Sequence, residues 1–171
     1  MKVTKSTLMF AVAAVVFQMP AFAAVTVEEC VTIDAKPETV WKALHEYQKE
    51  DKAFHKKIVS STPNSVTLKE EFAKMPIIGT TFLNYIEVSK PEEHRIEYRL
   101  TETGVVNKFD GAWIVEESKD GNGSTLKVVT TIDSWVPAPF KNKVLRSSTK
   151  KGMEKRLAYV KDYAEHHSVS N

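Results

Sequence analysis

The chain has 171 residues, 42% of them hydrophobic, with 24 Lys and Arg set against 22 Asp and Glu. That is enough for one domain with a real core, and the near-balance of charge argues against nucleic acid as the main partner. A lone cysteine, Cys30, excludes an intramolecular disulfide. Nothing beside it suggests an activated thiol, so it is expected to be structural.

The first residues read as a secretory leader. Lys2 and Lys5 make a basic start, Leu8 to Phe17 an almost wholly apolar stretch, and Ala21-Phe22-Ala23 an A-x-A cleavage site. The apolar stretch falls well short of the roughly 20 residues that span a membrane. Residues 1–23 are therefore expected to be removed, leaving 24–171 as a single secreted domain, in the first instance periplasmic. Loss of Lys2 and Lys5 lowers the basic count from 24 to 22, equal to the 22 acids.

Val25, Val27, Val31 and Ile33 alternate and predict a first strand ending at Asp34. Ala35-Lys36-Pro37-Glu38 then opens a helix, since proline suits the first turn and glutamate its positive end. Val40, Trp41 and Leu44 supply its buried face, and a second short helix is expected over about 48–56. Strands follow over about 57–62, 66–73, 80–89, 94–103, 107–118 and 125–135. From Phe140 to His167 the period is helical, with Leu145, Met153, Leu157, Val160 and Ala164 on one face. Gly152 interrupts that helix at a cost of roughly 1 kcal/mol relative to alanine, and its missing side chain leaves room beneath. The fold class is α+β: a seven-stranded curved antiparallel sheet, two short helices after the first strand, and a long C-terminal helix across it.

The turns alternate in chemistry. Thr62-Pro63-Asn64-Ser65, Lys90-Pro91-Glu92-Glu93 and Lys119-Asp120-Gly121-Asn122-Gly123-Ser124 are polar and suit solvent. Between them fall Met75-Pro76-Ile77-Ile78-Gly79, Gly104-Val105-Val106 and Val136-Pro137-Ala138-Pro139-Phe140, with apolar tips. In a meander, every second connection lies at the same end of the sheet. One end is thus expected to be wet and the other greasy, as a ligand portal or membrane contact would be. Met75, Ile77, Ile78, Val105, Val106, Val136 and Phe140 make up the greasy end. Lys141, Lys143, Arg146, Lys150, Lys151, Lys155 and Arg156 follow it with only Glu154 for balance, and Lys74 and Lys108 stand on neighbouring loops. Basic residues around apolar tips attract an anionic lipid surface.

Ile33-Asp34-Ala35-Lys36-Pro37-Glu38-Thr39-Val40-Trp41, Phe109-Asp110-Gly111-Ala112-Trp113 and the strand-opening Gly123-Ser124-Thr125 carry a family likeness. With the order of elements, they resemble the START-like superfamily of the helix-grip fold. That group includes START lipid-transfer domains, polyketide cyclases and aromatases, coenzyme Q-binding proteins and plant pathogenesis-related allergens. The resemblance covers nearly all of 24–171. It implies a deep apolar cavity between the sheet and the last helix, and it identifies fold better than function, because the group holds both binders and enzymes.

Strand parity assigns side chains to that cavity. Val27, Glu29, Val31 and Ile33 share one face of the first strand, and Val66, Leu68, Glu70 and Phe72 one face of the third. Ile96, Tyr98 and Leu100, then Phe109, Trp113 and Val115, then Leu126, Val128, Thr130 and Ile132 continue the inner face. In the fourth strand Phe82, Ile86 and Val88 compete with Leu83 and Tyr85. The expected cavity residues are Glu29, Glu70, Phe72, Tyr85, Tyr98, Trp113, Thr130, Met153 and Leu157, and Trp135 is a further candidate. Glu29 and Glu70 interrupt apolar rows, either to orient a polar head group or act as acid and base, or else paired with Arg99 or Arg156 or turned to solvent.

No catalytic constellation stands out. Five histidines lack metal-ligand spacing, with no HExxH among them. There is no Gly-rich phosphate loop, no Gly-x-Ser-x-Gly elbow, and no serine with a recognisable base beside it. Neither metal nor cofactor is expected. The leading expectation is a monomeric binding or transfer protein for a lipid, sterol-like molecule or isoprenoid, touching anionic membranes transiently. The alternatives are a cyclase or dehydratase using Glu29 or Glu70, and an accessory domain that binds a protein partner at the greasy end.

Overall fold

The computed structural model describes residues 24–49, 55–75, 79–119, 121–136 and 140–168. In chain order the elements are β1 (Val25–Ile33), α1 (Pro37–Lys49), β2 (Lys56–Thr62), β3 (Ser65–Met75), β4 (Gly79–Lys90), β5 (Arg95–Glu102), β6 (Val106–Glu117), β7 (Ser124–Ser134) and α2 (Lys141–Ser168). The seven strands form one sheet in the order β1-β7-β6-β5-β4-β3-β2, with every pairing antiparallel. From β2 to β7 the chain meanders, so successive turns alternate ends; β1 joins the far edge beside β7.

Period-two patterning does what the sequence predicts. Along β7, Ser124, Leu126, Val128, Thr130, Ile132 and Ser134 are buried, and the residues between them are half-buried. In β4 the ambiguity is resolved in favour of Leu83 and Tyr85, because Tyr85 stands opposite buried Leu68 of β3. Phe82 faces outward, with the Lys69 ammonium over its ring. The same parity carries Thr81 and Glu87 inward, which sequence reading did not anticipate.

The second short helix expected over 48–56 is corrected at its two ends. Gln48 and Lys49 complete α1, Lys56 opens β2, and residues 50–54 lie outside the described residues. Val40, Ala43, Leu44 and Tyr47 are the buried face of α1. Trp41, expected there too, is half-buried and packs against His45 and His94.

The two sheet edges are handled differently. An edge strand presents unpaired backbone groups that invite other chains. At β1, α2 covers them: Arg146 Nη1 donates to Thr26 O at 3.1 Å and Lys161 Nζ to Thr32 O at 2.8 Å. At the other edge, β2 is exposed from Lys57 to Thr62 and its register shifts between Ile58 and Ser60. Such a bulge twists an edge away from flat pairing. Cys30 is exposed on β1.

Candidate ligand cavity

Between the inner face of β3–β7 and α2 lies a cavity of about 440 Å³. Phe72, Leu83, Phe109, Trp113, Val128, Leu145 and Met153 give it apolar walls. Tyr85, Tyr98 and Phe109 form an aromatic group, with ring centroids 5.3 Å apart for Tyr85–Phe109 and 5.1 Å for Tyr98–Phe109. Gly111 makes this possible. It pairs with Tyr98 across β5 and β6, and a Cβ there would stand 2.6 Å from the Tyr98 hydroxyl and 1.9 Å from Val129 O. The missing side chain lets the Tyr98 phenol lie over the strand and donate to Val129 O at 2.8 Å.

Polar groups form the floor. Glu70 is buried and paired with Arg156 of α2: Nη2 donates to Oε1, and Nη1 to Oε2 at 3.4 Å. Tyr85 Oη donates to Glu70 Oε2 at 2.7 Å. Burial, with the nearby Glu70 and Glu87 charges, pushes the Tyr85 phenol well above its ordinary pKa, so it stays a donor. Burial likewise raises Glu87, opposed by the Lys56 charge and a 2.6 Å hydrogen bond from Gln48 Nε2. Lys56 is itself buried, its ammonium donating to Tyr47 O at 3.1 Å and lying over the Tyr47 ring. Each buried charge therefore has a partner, as burial in a low dielectric demands.

Of the residues expected to line the cavity, Glu70, Phe72, Tyr85, Tyr98, Trp113, Thr130 and Met153 are on its wall. Glu29 is not. It sits on edge strand β1 beneath α2, where Lys150 Nζ reaches its Oε1 at 2.5 Å. Leu157 is not either: one step past Arg156, about 100° round the helix, it packs into the core. Trp135 lies beyond the end of β7 and is 59% exposed. Sequence reading missed Glu87, Leu145 and Thr149, which also line the wall. Period two in β4 and period 3.6 in α2 were the available signals, the first obscured by the Phe82/Leu83 ambiguity.

The greasy end needs more revision. Val136 lines the cavity mouth, and Phe140 is 78% exposed, held at φ 63° where α2 begins. Val144, one helical turn on, is 60% exposed. Val105 is half-buried and Val106 buried, because Val106 starts β6 opposite Ser134 instead of capping a turn. Met75 ends β3 opposite Gly79, which places the β3–β4 connection at this end, while Ile77 and Ile78 lie outside the described residues. The basic ring is thinner than expected. Lys141 is tied down, donating to Asp133 Oδ1 at 2.9 Å and Ser134 O at 2.6 Å, and Arg146, Lys150 and Arg156 are bonded to β1 or β3. Lys143 and Lys151 remain exposed.

One serine does have a base beside it. His45 Nδ1 is 3.0 Å from Trp41 O, which only accepts, so that nitrogen carries the proton. Nε2 is 3.1 Å from Ser89 Oγ, and in the neutral ring it accepts from the serine. The pair joins α1 to β4 across 44 residues of sequence. Among the described residues no group of His, Cys, Asp and Glu is arranged to hold a metal ion.

A curved antiparallel sheet gripping a long C-terminal helix is the START-like helix-grip fold. Residues 24–165 match the family described as polyketide cyclase / dehydrase and lipid transport, and the chain belongs to that family. Similar solved structures include the Zhui aromatase/cyclase from Streptomyces sp. R1128, at 14% identity and a TM-score of 0.63 over 85% of this chain and 94% of that one. A START superfamily protein from Mycobacterium smegmatis aligns at 15% identity and a TM-score of 0.60, over 85% and 97% of the two chains. Ara h 8.0201 aligns at 18% and 0.59, over 87% and 100%. Likeness at these identities establishes the shared fold. No curated protein matches by sequence.

Proposed function

We propose that the protein is an exported, monomeric carrier that binds an apolar ligand, such as a lipid, sterol-like molecule or isoprenoid, between the sheet and α2. The observation that carries this reading is the cavity of about 440 Å³, walled by aromatic and aliphatic side chains. It falls within the range of roughly 300–1,000 Å³ typical of small-ligand sites. The ligand enters at the end where Val136 lines the mouth and Trp135, Phe140 and Val144 are exposed. Brief contact of these side chains with an anionic membrane, helped by Lys143, belongs to the proposal, as does export by way of a leader over 1–23. Organic extraction of the purified protein followed by mass spectrometry tests it: a stoichiometric apolar compound supports the carrier, and a ligand-free protein that takes up no apolar probe refutes it.

A second reading has one observation in its favour. Tyr85, Glu70 and Arg156 are joined at the cavity floor, where a cyclase or dehydratase would place proton donors and acceptors. Here, though, the carboxylate is fully engaged by its neighbours, which favours structure over proton transfer.

A further inference from the structure

Two neighbouring rows of α2 residues line the cavity. Leu145, Thr149 and Met153 are buried and, with Arg156, form the inner row. Val144, Ser148 and Lys155 are exposed and Gly152 is half-buried, yet they line the cavity too. Residues spaced i, i+4, i+8 and i+11 share one helical face. This outer row therefore borders a slot where the cavity meets water along about 16 Å of helix. Gly152 widens it, since a Cβ there would have nothing within 4 Å and no crowding demands the glycine. Because α2 packs on β1, β7 and α1, the slot lies on its β2–β3 side.

The two ends of the slot differ in chemistry. At one, Val144 is exposed beside Phe140, and Val136 lines the cavity mouth. At the other, Lys155 and His55 adjoin the Glu70–Arg156 pair. Lys155 precedes Arg156 in α2, and His55 precedes Lys56, which stands opposite Glu70 in the sheet. Both residues line the cavity and both are exposed. Glu71 borders the same place, but it stands opposite Phe82, whose ring faces outward, so its carboxylate belongs to the outer face of the sheet. Basic groups thus hold the rim here. An exposed ammonium exchanges partners at little cost, and an imidazole offers an N–H donor in either protonation state.

We infer that the ligand is an anionic amphiphile, such as a fatty acid, whose chain lies in the cavity and whose head sits in the slot against Lys155 and His55. This deepens the carrier reading and rests on it. The interior pair stays intact, because the head meets Lys155 without displacing Glu70 from Arg156. The head also stays in water, so the cost of burying a carboxylate does not arise. Long charged side chains reach the same compromise on apolar surfaces, stem buried and tip wet. On loading from the open end, the head follows the exposed row from Val144 to Lys155 while the chain remains inside.

The test is displacement of the neutral dye phenylnaphthylamine by dodecanoate, dodecanol and dodecyltrimethylammonium at neutral pH and low salt. Dodecanoate is expected to bind about two- to fivefold more tightly than dodecanol, the worth of an exposed charge contact. Dodecyltrimethylammonium should bind more weakly than either, and added salt should narrow the differences. Lys155→Gln should remove most of the advantage of dodecanoate and leave dodecanol unchanged. Lys155→Glu should reverse the order of dodecanoate and dodecyltrimethylammonium, and Lys155→Arg should keep the order of the parent. All three variants should melt with the parent, because the position is exposed. Dodecanol binding as tightly as dodecanoate, or a Lys155→Glu variant that keeps the parent's order, overturns the inference and leaves the carrier intact. If neither the dye nor any of the three molecules binds, the carrier reading itself falls.

Discussion

The two ends of the sheet are built for opposite purposes. Where β1 hands over to α1, backbone and side chains close on one another: Ser124 Oγ donates to Ala35 O at 2.6 Å, Asp34 N to Glu165 Oε1 at 2.9 Å, and Ser89 N to Asn64 O at 2.8 Å. Gly123 is pressed so tightly that a Cβ would stand 2.4 Å from Ile33 O. At the other end, Trp135, Phe140 and Val144 are left in solvent and Val136 borders the cavity mouth. Sheet and helix are tied together at both ends, at the second through Lys141 to Asp133 and Ser134, but only the second leaves apolar side chains in solvent.

That division is tested most severely at the floor between the ends. Glu70→Ala strands Arg156 in the interior and should lower unfolding free energy by about 3–5 kcal/mol, the usual cost of breaking a buried pair, as read by urea denaturation. At the closed end, Gly123→Ala meets both a φ of 146° and the Ile33 carbonyl, and should cost about 1–3 kcal/mol. At the open end, Phe140→Ser with Val144→Ser should change stability by less than about 0.5 kcal/mol, yet slow delivery of ligand to anionic vesicles. Equal destabilisation at both ends would erase the distinction.

Acidity gives a subtler probe. Burial raises the pKa of Glu87, so the folded state favours its protonated form. Stability contributed there is complete below the unfolded value of about 4.3 and is lost as pH rises through the raised folded value. Asp133 behaves in the opposite sense. Burial pushes it up, but the Lys141 ammonium and the Ser134 backbone hold it below its ordinary range. Its contribution is present above about 3.9 and lost as pH falls through the folded value. Glu87→Gln should therefore flatten the decline in stability on the neutral side while leaving the acid side unchanged, as measured by denaturation across a pH series.

Strand positions were legible from the sequence because half-buried strands impose a period of two, and β7 follows it without a break. The gripping helix was legible from its apolar face, within a residue of its ends. Turn alternation followed from the meander alone. What remained hidden depends on contacts between distant segments. Glu29 and Glu70 look alike in sequence, and only the strand order puts the first at an edge beside Lys150 and the second in the interior beside Arg156. The basic run of α2 looks like a uniform positive patch, yet its members divide between β1, β3, β7 and solvent. His45 and Ser89 meet because α1 lies over the end of β4, which no local pattern announces.

The central claim is that an apolar molecule occupies the space between sheet and α2. The three tryptophans allow a direct measurement, since Trp113 lines the cavity, Trp135 is exposed at the open end, and Trp41 packs against His45 and His94 on α1's side. In a variant with Trp41 and Trp135 replaced by Phe, fluorescence from Trp113 is titrated with an ω-brominated dodecanol, whose heavy atom quenches on contact. Saturable quenching at one-to-one stoichiometry, relieved by unlabelled dodecanol, is the predicted result. Quenching that never saturates, or none at all from a variant that remains folded, would contradict it.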